Sequence, residues 1–310
     1  MALTDTDRLY FLAFDHRGFF ERELADGDGP PAREAILDAK RLILEGLKHA
    51  GYETDAERPA GAGILVDDQY GAELVGDARR LGVLVAMPAE RSDRKVFELH
   101  HGTRFAEEIL QSDPDITKVL IRHNVQGGDA DGNAVQAERL RALSEWLAAN
   151  ERTFLLELIV EPTDEQLARA GGDVERFERE LRPPLIEAAM RELQDAGVEP
   201  DVWKVEGLDT AADARAIAEV ARRDGRSDVV CVVLGSGAGP ERVDGWLRAA
   251  AATDGFVGFA IGRSIWWPPL RALRAGEIDR ETAARHIARG YLRFVEVFER
   301  ARADTSPVGA

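Results

Sequence analysis

Eight short apolar runs alternate with longer amphipathic helical patterns along the 310 residues, and no Pro/Ser-rich linker divides them. Together these predict an α/β fold, a single TIM (βα) barrel with eight parallel strands. An open doubly wound sheet is the competing architecture. It would normally carry G-x-G-x-x-G after the first strand, where this chain has Asp15-His16-Arg17-Gly18.

The first strand is expected over 10–14, and a helix over 31–50 puts Ile36, Leu42, Ile43 and Leu47 on one face before Gly51 stops it. The second strand, 63–66, runs into Asp67-Asp68-Gln69-Tyr70-Gly71, and the helix after it ends near Gly82. The third, 83–86, has Pro88 and Glu90 just past its end. A short helix over 105–110 precedes the fourth strand, 117–122, and the acidic, glycine-rich stretch 126–133 reads as an exposed loop before a helix over 134–149. The fifth strand, 153–160, is strongly apolar yet contains Glu157. A loop with Gly171-Gly172 then leads through Arg182-Pro183-Pro184 to a helix over 185–196. The sixth strand holds Lys204, a helix over 210–223 follows, and the seventh is the run 229–234 around Cys231. Pro240 at a first helical position makes Gly235-Ser236-Gly237-Ala238-Gly239 the turn that opens a helix to about 251. The eighth strand, 256–261, leads into Gly262-Arg263-Ser264-Ile265-Trp266-Trp267, and a helix over 281–301 closes the set. The barrel domain is expected over 1–303, with 304–310 as a flexible tail.

The composition narrows the partners. A formal net charge of -17 and a pI near 4.9 argue against nucleic acid or an anionic membrane surface, which are bound by basic patches. Any phosphate must be met by a local cluster. A single cysteine, Cys231, excludes an internal disulfide framework and fits a reducing cytoplasm. Without an uninterrupted apolar stretch long enough to cross a bilayer, a soluble, unprocessed chain is expected.

The chemistry is expected around Asp201-Val202-Trp203-Lys204-Val205-Glu206-Gly207. A lysine in a buried strand either finds a partner or is pushed toward the neutral, nucleophilic form. A head group paired with Glu206 is the plain alternative. Strand alternation sends Lys118, Leu120 and Arg122, then Leu155, Glu157 and Ile159, then Val202, Lys204 and Glu206 to one interior. Two lysines beside one carboxylate should lower the pKa of at least one lysine and leave Glu157 as a proton shuttle. A structural ion triad is the competing reading.

Gly235-Ser236-Gly237 before a helix N-terminus, with Gly262-Arg263 on the neighbouring loop, form the expected phosphate grip, because barrel enzymes often hold phosphate after strands seven and eight. Asp15 and Arg17 stand at the mouth, either as site residues or as a salt-bridged turn. Asp67 and Glu90 end strands two and three and are candidates for sugar hydroxyls, and Glu206 for substrate contact. The adjacent His100-His101 would diverge on a regular element, and with His16 and His123 they lack zinc-ligand spacing, so no metal site is expected. No G-x-S-x-G turn is present.

Leu12-Ala13-Phe14-Asp15-His16-Arg17, Leu65-Val66-Asp67-Asp68-Gln69-Tyr70-Gly71, Lys118-Val119-Leu120, Phe154-Leu155-Leu156-Glu157-Leu158, Pro200 through Gly207, Val233-Leu234-Gly235 and Gly258 through Trp266 together resemble the 2-deoxy-5-keto-D-gluconate 6-phosphate aldolase domain of inositol catabolism. That domain is often fused behind a sugar kinase and is related to the class I tagatose 1,6-bisphosphate aldolases. The resemblance runs from about Leu9 to Trp266, and its Trp-Lys-x-Glu-Gly element is specific. It implies a Schiff base on Lys204, proton shuttling by Glu157, support from Lys118, a site-lining Asp15 and a phosphate-holding Arg263. His16 departs from it, standing where the tagatose-bisphosphate relatives carry glutamine, and no kinase half is part of this sequence. A carbon-carbon lyase acting on a phosphorylated ketose is therefore expected, with no cofactor, since the lysine iminium replaces a metal Lewis acid. The same residues fit cleavage of tagatose bisphosphate or of a sulfonated ketose phosphate, or a barrel that only binds a sugar phosphate. A homo-oligomer is compatible with the Trp266-Trp267-Pro268-Pro269 stretch, which reads as core or interface.

Overall fold

The computed structural model describes residues 4, 6–25, 29, 31–52, 60–92, 94–127 and 129–305. Among them, β1 (Leu9–Ala13), β2 (Ala62–Leu65), β3 (Leu84–Pro88), β4 (Ile116–Arg122), β5 (Thr153–Ile159), β6 (Val202–Val205), β7 (Val230–Leu234) and β8 (Phe256–Ile261) form a closed barrel in sequence order. Every pairing is parallel, including that of β8 with β1. The expected fold class is thus the observed one.

The helices are α1 (Arg17–Glu23), α2 (Arg33–Leu47), α3 (Asp68–Arg80), α4 (Phe105–Ser112), α5 (Ala130–Ala149), α6 (Asp164–Arg169), α7 (Val174–Arg176), α8 (Arg182–Asp195), α9 (Ala211–Ala221), α10 (Pro240–Ala251), α11 (Arg263–Arg274) and α12 (Arg280–Thr305). Several begin where side chains satisfy the free N–H groups of the first turn. Asp67 accepts from Tyr70 N, Asp129 from Gly132 N and Thr210 from Asp213 N. Thr163 and Gln166 form a reciprocal capping box at α6.

Four expectations are corrected and one open alternative, that of Trp266 to Pro269, is decided. The polar group after β1 opens a helix, α1, because Phe20 packs flat on Trp266 with ring centroids 4.8 Å apart. The loop expected over 126–133 is cut short because Asp129 caps α5 from Ala130 onward. Arg182-Pro183-Pro184 is the first turn of α8, where proline loses no hydrogen bond, rather than a connection to it. Trp266-Trp267-Pro268-Pro269 lies within α11, with Trp266 buried and its Nε1 donating to Ala13 O at 2.9 Å. The tail expected over 304–310 is helical as far as Thr305, and 306–310 lie outside the described residues. None of the helices among the described residues is long and apolar enough to cross a membrane.

Two apolar layers result. Alternate strand residues pack the outer face against the helices, whereas Leu9, Phe11, Ala13, Leu65, Ala86, Ile116, Leu155, Val202, Val230, Val232, Val257 and Ala260 fill the lower barrel. Above that plug the interior is lined by the charged side chains of Lys118, Glu157 and Lys204.

Gly207, two residues past β6, fits because a Cβ there would stand 1.9 Å from Trp246 Cδ2. Trp246 cannot easily yield, since its Nε1 donates to Asp209 Oδ1 at 2.6 Å and Arg242 lies over its ring at 5.0 Å. Gly207→Ala should therefore destabilise the fold by about 1–3 kcal/mol through overpacking, read as a lower urea midpoint. An unchanged midpoint would mean that the turn after β6 is loosely packed.

Candidate active site

Strand parity brings Lys118, Glu157 and Lys204 from β4, β5 and β6 into the upper barrel, and the register sets Glu157 directly beside Lys204. Lys204 Nζ lies 2.9 Å from Glu157 Oε1, and Lys118 Nζ lies 3.1 Å from Glu157 Oε2, so one carboxylate bridges both ammonium groups. Lys118 also donates to Asp15 Oδ2 at 2.9 Å and to Glu90 Oε1 at 2.8 Å. Asp15 arrives from the end of β1, and Glu90 from beyond β3, where a bridge to Leu99 fixes the backbone.

These contacts decide the partner of Lys204 and the charge on Lys118. Lys204 pairs with Glu157 and not with Glu206, which instead accepts from Arg182 Nη1 at 3.1 Å and from Val160 N at 2.8 Å. Burial would lower the pKa of Lys118, but Asp15, Glu90 and Glu157 together outweigh burial and hold it well above the usual lysine value. At Lys118, repulsion from the second lysine does not prevail. Burial likewise works to raise Asp15 and Glu157, yet Lys118 and His16 overcome it at Asp15, and Lys204 and Lys118 at Glu157, so both lie low. At Glu90 and Glu206 burial wins over Lys118 and Arg182, and both carboxyls are raised. Three carboxylates (Asp15, Glu90, Glu157) face two lysines, and Glu90 is the member suited to carry the surplus proton; its Oε2 is buried with no hydrogen-bond partner.

Above this network opens a cavity of about 410 Å³. Asp15, His16, Arg17, Glu90, Lys118, Glu157, Lys204, Glu206, Gly235, Ser236, Gly237, Gly262 and Arg263 all line it. His16 is pushed down to about 4, first by burial and then by Arg263 and Lys204 against the pull of Asp15, so it is neutral at neutral pH. Arg17 turns from Asp15 to donate to Glu90 O at 2.7 Å, with Asp68 Oδ1 3.8 Å away, so the expected Asp15–Arg17 pair does not form.

At the ends of β7 and β8 the chain is built around Arg263. Ser236 and Gly237 adopt left-handed backbone at φ 50 and 73, and a side chain at Gly237 would stand 3.4 Å from the guanidinium carbon. Phe19 lies beneath Arg263 at 5.4 Å, its Nε is buried with no hydrogen-bond partner, and burial lowers its pKa against the attraction of Glu157. A half-buried guanidinium in that state is suited to an incoming anion. The neighbouring helices α10 and α11 follow Gly239 and Gly262, neither of which supplies a side-chain cap, so the first-turn N–H groups after Pro240 and from Arg263 have no side-chain cap.

One candidate falls outside the site. Asp67 is fully buried, caps α3 and pairs with buried Lys40 of α2, so it is a structural ion pair and not a sugar contact. Conversely Phe19, Arg22, Arg91, Ser92, Arg94 and Arg122 line the cavity without having been singled out. Arg122 shares the inward parity of Lys118; Phe19 and Arg22 lie on α1, a helix not expected from the sequence, and Arg91, Ser92 and Arg94 sit on irregular backbone with no period to read. A wider hollow of about 560 Å³, lined by Arg215, Glu219, Asp254 and Arg302, lies at the opposite, N-terminal end of the strands. Barrel chemistry belongs to the C-terminal end, where the cavity above Lys204 lies.

The fold and this cavity define a (βα)8 barrel with a charged site at the C-terminal strand ends. The chain belongs to the family described as "Uncharacterized protein conserved in bacteria (DUF2090)", which matches residues 2–302. No curated protein matches the sequence. Among solved structures it is similar to Cgl0159 from Corynebacterium glutamicum, with 16% identity and a TM-score of 0.58 over 94% of this chain and 88% of that one. It is also similar to fructose-bisphosphate aldolase from Plasmodium falciparum, with 12% identity and a TM-score of 0.61 over 99% and 93% of the two chains. For fructose-bisphosphate aldolase from Slackia heliotrinireducens the figures are 14%, 0.55, 92% and 86%. These likenesses show the fold.

Lys118→Met would leave Asp15, Glu90 and Glu157 crowded without their shared cation, at a cost of about 3–5 kcal/mol near pH 8. Without the lysine their folded-state pKa values rise above the unfolded ones, so the folded state binds more protons and stability recovers as the pH falls. Urea midpoints should thus differ from wild type much more at pH 8 than at pH 5. An equal deficit at both would mean that Lys118 does not neutralise this cluster.

Proposed function

We propose that this protein is a class I aldolase that cleaves a ketose phosphate through a Schiff base on Lys204. The observation that carries the reading is the pairing of Lys204 Nζ with Glu157 Oε1 at 2.9 Å, within a cavity whose far wall presents Arg263. Three carboxylates keep Lys118 protonated, so it supplies fixed positive charge and Lys204 is left to act as the nucleophile.

The neutral amine of Lys204 adds to the substrate ketone, and loss of water leaves an iminium. Glu157 takes the proton from the hydroxyl on the carbon β to that centre. The carbon–carbon bond breaks, its electron pair moves into the iminium as an enamine, and an aldehyde departs. Protonation of the enamine carbon and hydrolysis then release the ketone and restore Lys204. Ser236, Gly237 and Arg263 hold the phosphate, so that binding energy far from the reacting bond orients the ketone. Glu90 and neutral His16, both in the cavity lining, would meet substrate hydroxyls. With 2-deoxy-5-keto-D-gluconate 6-phosphate, the substrate that the sequence resemblance supports, the products are dihydroxyacetone phosphate and malonate semialdehyde. The iminium serves as the electron sink, so this scheme uses no cofactor. A barrel that only bound sugar phosphate would use Arg263 and Ser236 but have no need of ionised Glu157 between two buried lysines.

Incubation with dihydroxyacetone phosphate and borohydride should leave a mass adduct on Lys204 that is absent from Lys204→Ala. Glu157→Gln should lower kcat by about 10²–10⁴-fold, the usual worth of a positioned acid–base group. The absence of an adduct, or one that persists in Lys204→Ala, overturns the mechanism.

A further inference from the structure

Outside the cavity above Lys204, the side chains of Asp68, His100 and His101 converge. Asp68 is the first residue of α3, and the histidines lie in the connection from β3 to α4. Adjacent histidines diverge on a regular helix or strand, but this backbone is irregular. His100 N donates to Ala89 O at 2.8 Å, His101 sits at φ −95 and ψ 11, and Gly102 follows at φ 54. The two rings are consequently turned together, with centroids 4.6 Å apart.

Asp68 Oδ2 lies 2.8 Å from His101 Nε2 and 3.9 Å from His100 Nε2, and one ligand atom of each residue falls within 4.8 Å of the others. Zinc bonds of about 2.0–2.1 Å in a tetrahedron require ligand atoms about 3.3 Å apart, between those two values. The other carboxylate oxygen, Oδ1, is buried without a hydrogen bond and faces Arg17, which leaves Oδ2 directed at the imidazoles. Glu108 Oε1 stands 4.0 Å from His101 Nδ1, the side from which a carboxylate orients a ligating imidazole.

We propose that Asp68, His100 and His101 form a zinc site that fastens the β3–α4 connection to α3, with water completing the tetrahedron. Two imidazoles and one carboxylate suit zinc better than magnesium or calcium, which prefer all-oxygen shells. The ion would stiffen the segment carrying Glu90, Arg91 and Arg94, which line the mouth of the cavity. The site takes no part in the chemistry at Lys204, and its test does not depend on aldolase activity.

Tag-free chain, stripped with a chelator, is titrated calorimetrically with zinc chloride, and in parallel with cobalt(II) for its ligand-field absorption. One zinc per chain is expected, with a tetrahedral cobalt spectrum. Loss of the ligand in His101→Ala or Asp68→Asn should weaken binding by more than the about 10–100-fold typical of an outer-shell partner, and Glu108→Gln should fall within that range. Far-ultraviolet circular dichroism checks that each variant is folded; should one fail, His100→Ala takes its place. No stoichiometric uptake by the wild-type chain, an octahedral cobalt spectrum, or equal affinity in wild type and folded ligand variants overturns the proposal.

Discussion

Glu157 has to remain ionised inside a barrel, and the positions of the neighbouring charges follow from that. Removing a carboxylate from water costs several kcal/mol even after relaxation, so it survives there only with close positive partners. Lys204 on β6 and Lys118 on β4 supply them, one to each oxygen. Lys118, almost fully buried itself, then needs more than half a carboxylate, and Asp15 and Glu90 complete its shell from β1 and from beyond β3. Four strand ends are thereby tied through one ammonium group. The apolar plug of the lower barrel gives this network a dry floor, which strengthens each of its interactions.

The network also separates the two lysines chemically. Shared among three carboxylates, Lys118 is fixed as a cation and has no lone pair to offer. Lys204 meets a single oxygen of Glu157, so the acceptor for its proton and the group that would later move protons on substrate are the same. At the mouth the balance of charge reverses. A chain of net charge -17 lines this one opening with Arg17, Arg22, Arg91, Arg94, Arg122 and Arg263. Such concentration in a concave, low-dielectric wall focuses potential on an anion while the outer surface stays acidic and repels polyanions.

Much of this was legible in the sequence because strands have period two. Once Lys118, Glu157 and Lys204 were assigned to strands, their shared interior followed from counting, and closure of the barrel supplied the adjacency. Asp67 misled because its place at the end of the second strand suggested the site, but α3 begins one residue later, and capping that helix turns the side chain out to Lys40. The lysine's presence on the buried face of α2 was the available signal. The full set of partners of Lys118 was not legible, because Asp15 and Glu90 lie in loops whose direction no periodicity encodes. His100 and His101 were read by a rule for regular elements, whereas the Glu90–Leu99 bridge and the bend at His101 make that stretch irregular.

His16 shows how a substitution in type can preserve a chemical property. The relatives suggested by the sequence resemblance have glutamine there, a neutral side chain with both a donor and an acceptor. A histidine in water near pH 6 would bring a charge to the same place. Here burial, with Arg263 and Lys204 nearby, holds the imidazole at about 4, so that it too is neutral with one N–H and one bare nitrogen. Its Nδ1 is buried without a hydrogen-bond partner, and its ring stands edge-on to Trp266 at 5.9 Å, which restricts its orientation. The cavity therefore keeps an uncharged hydrogen-bonding group between Asp15 and Arg263, and the positive charge of its mouth is left to the arginines.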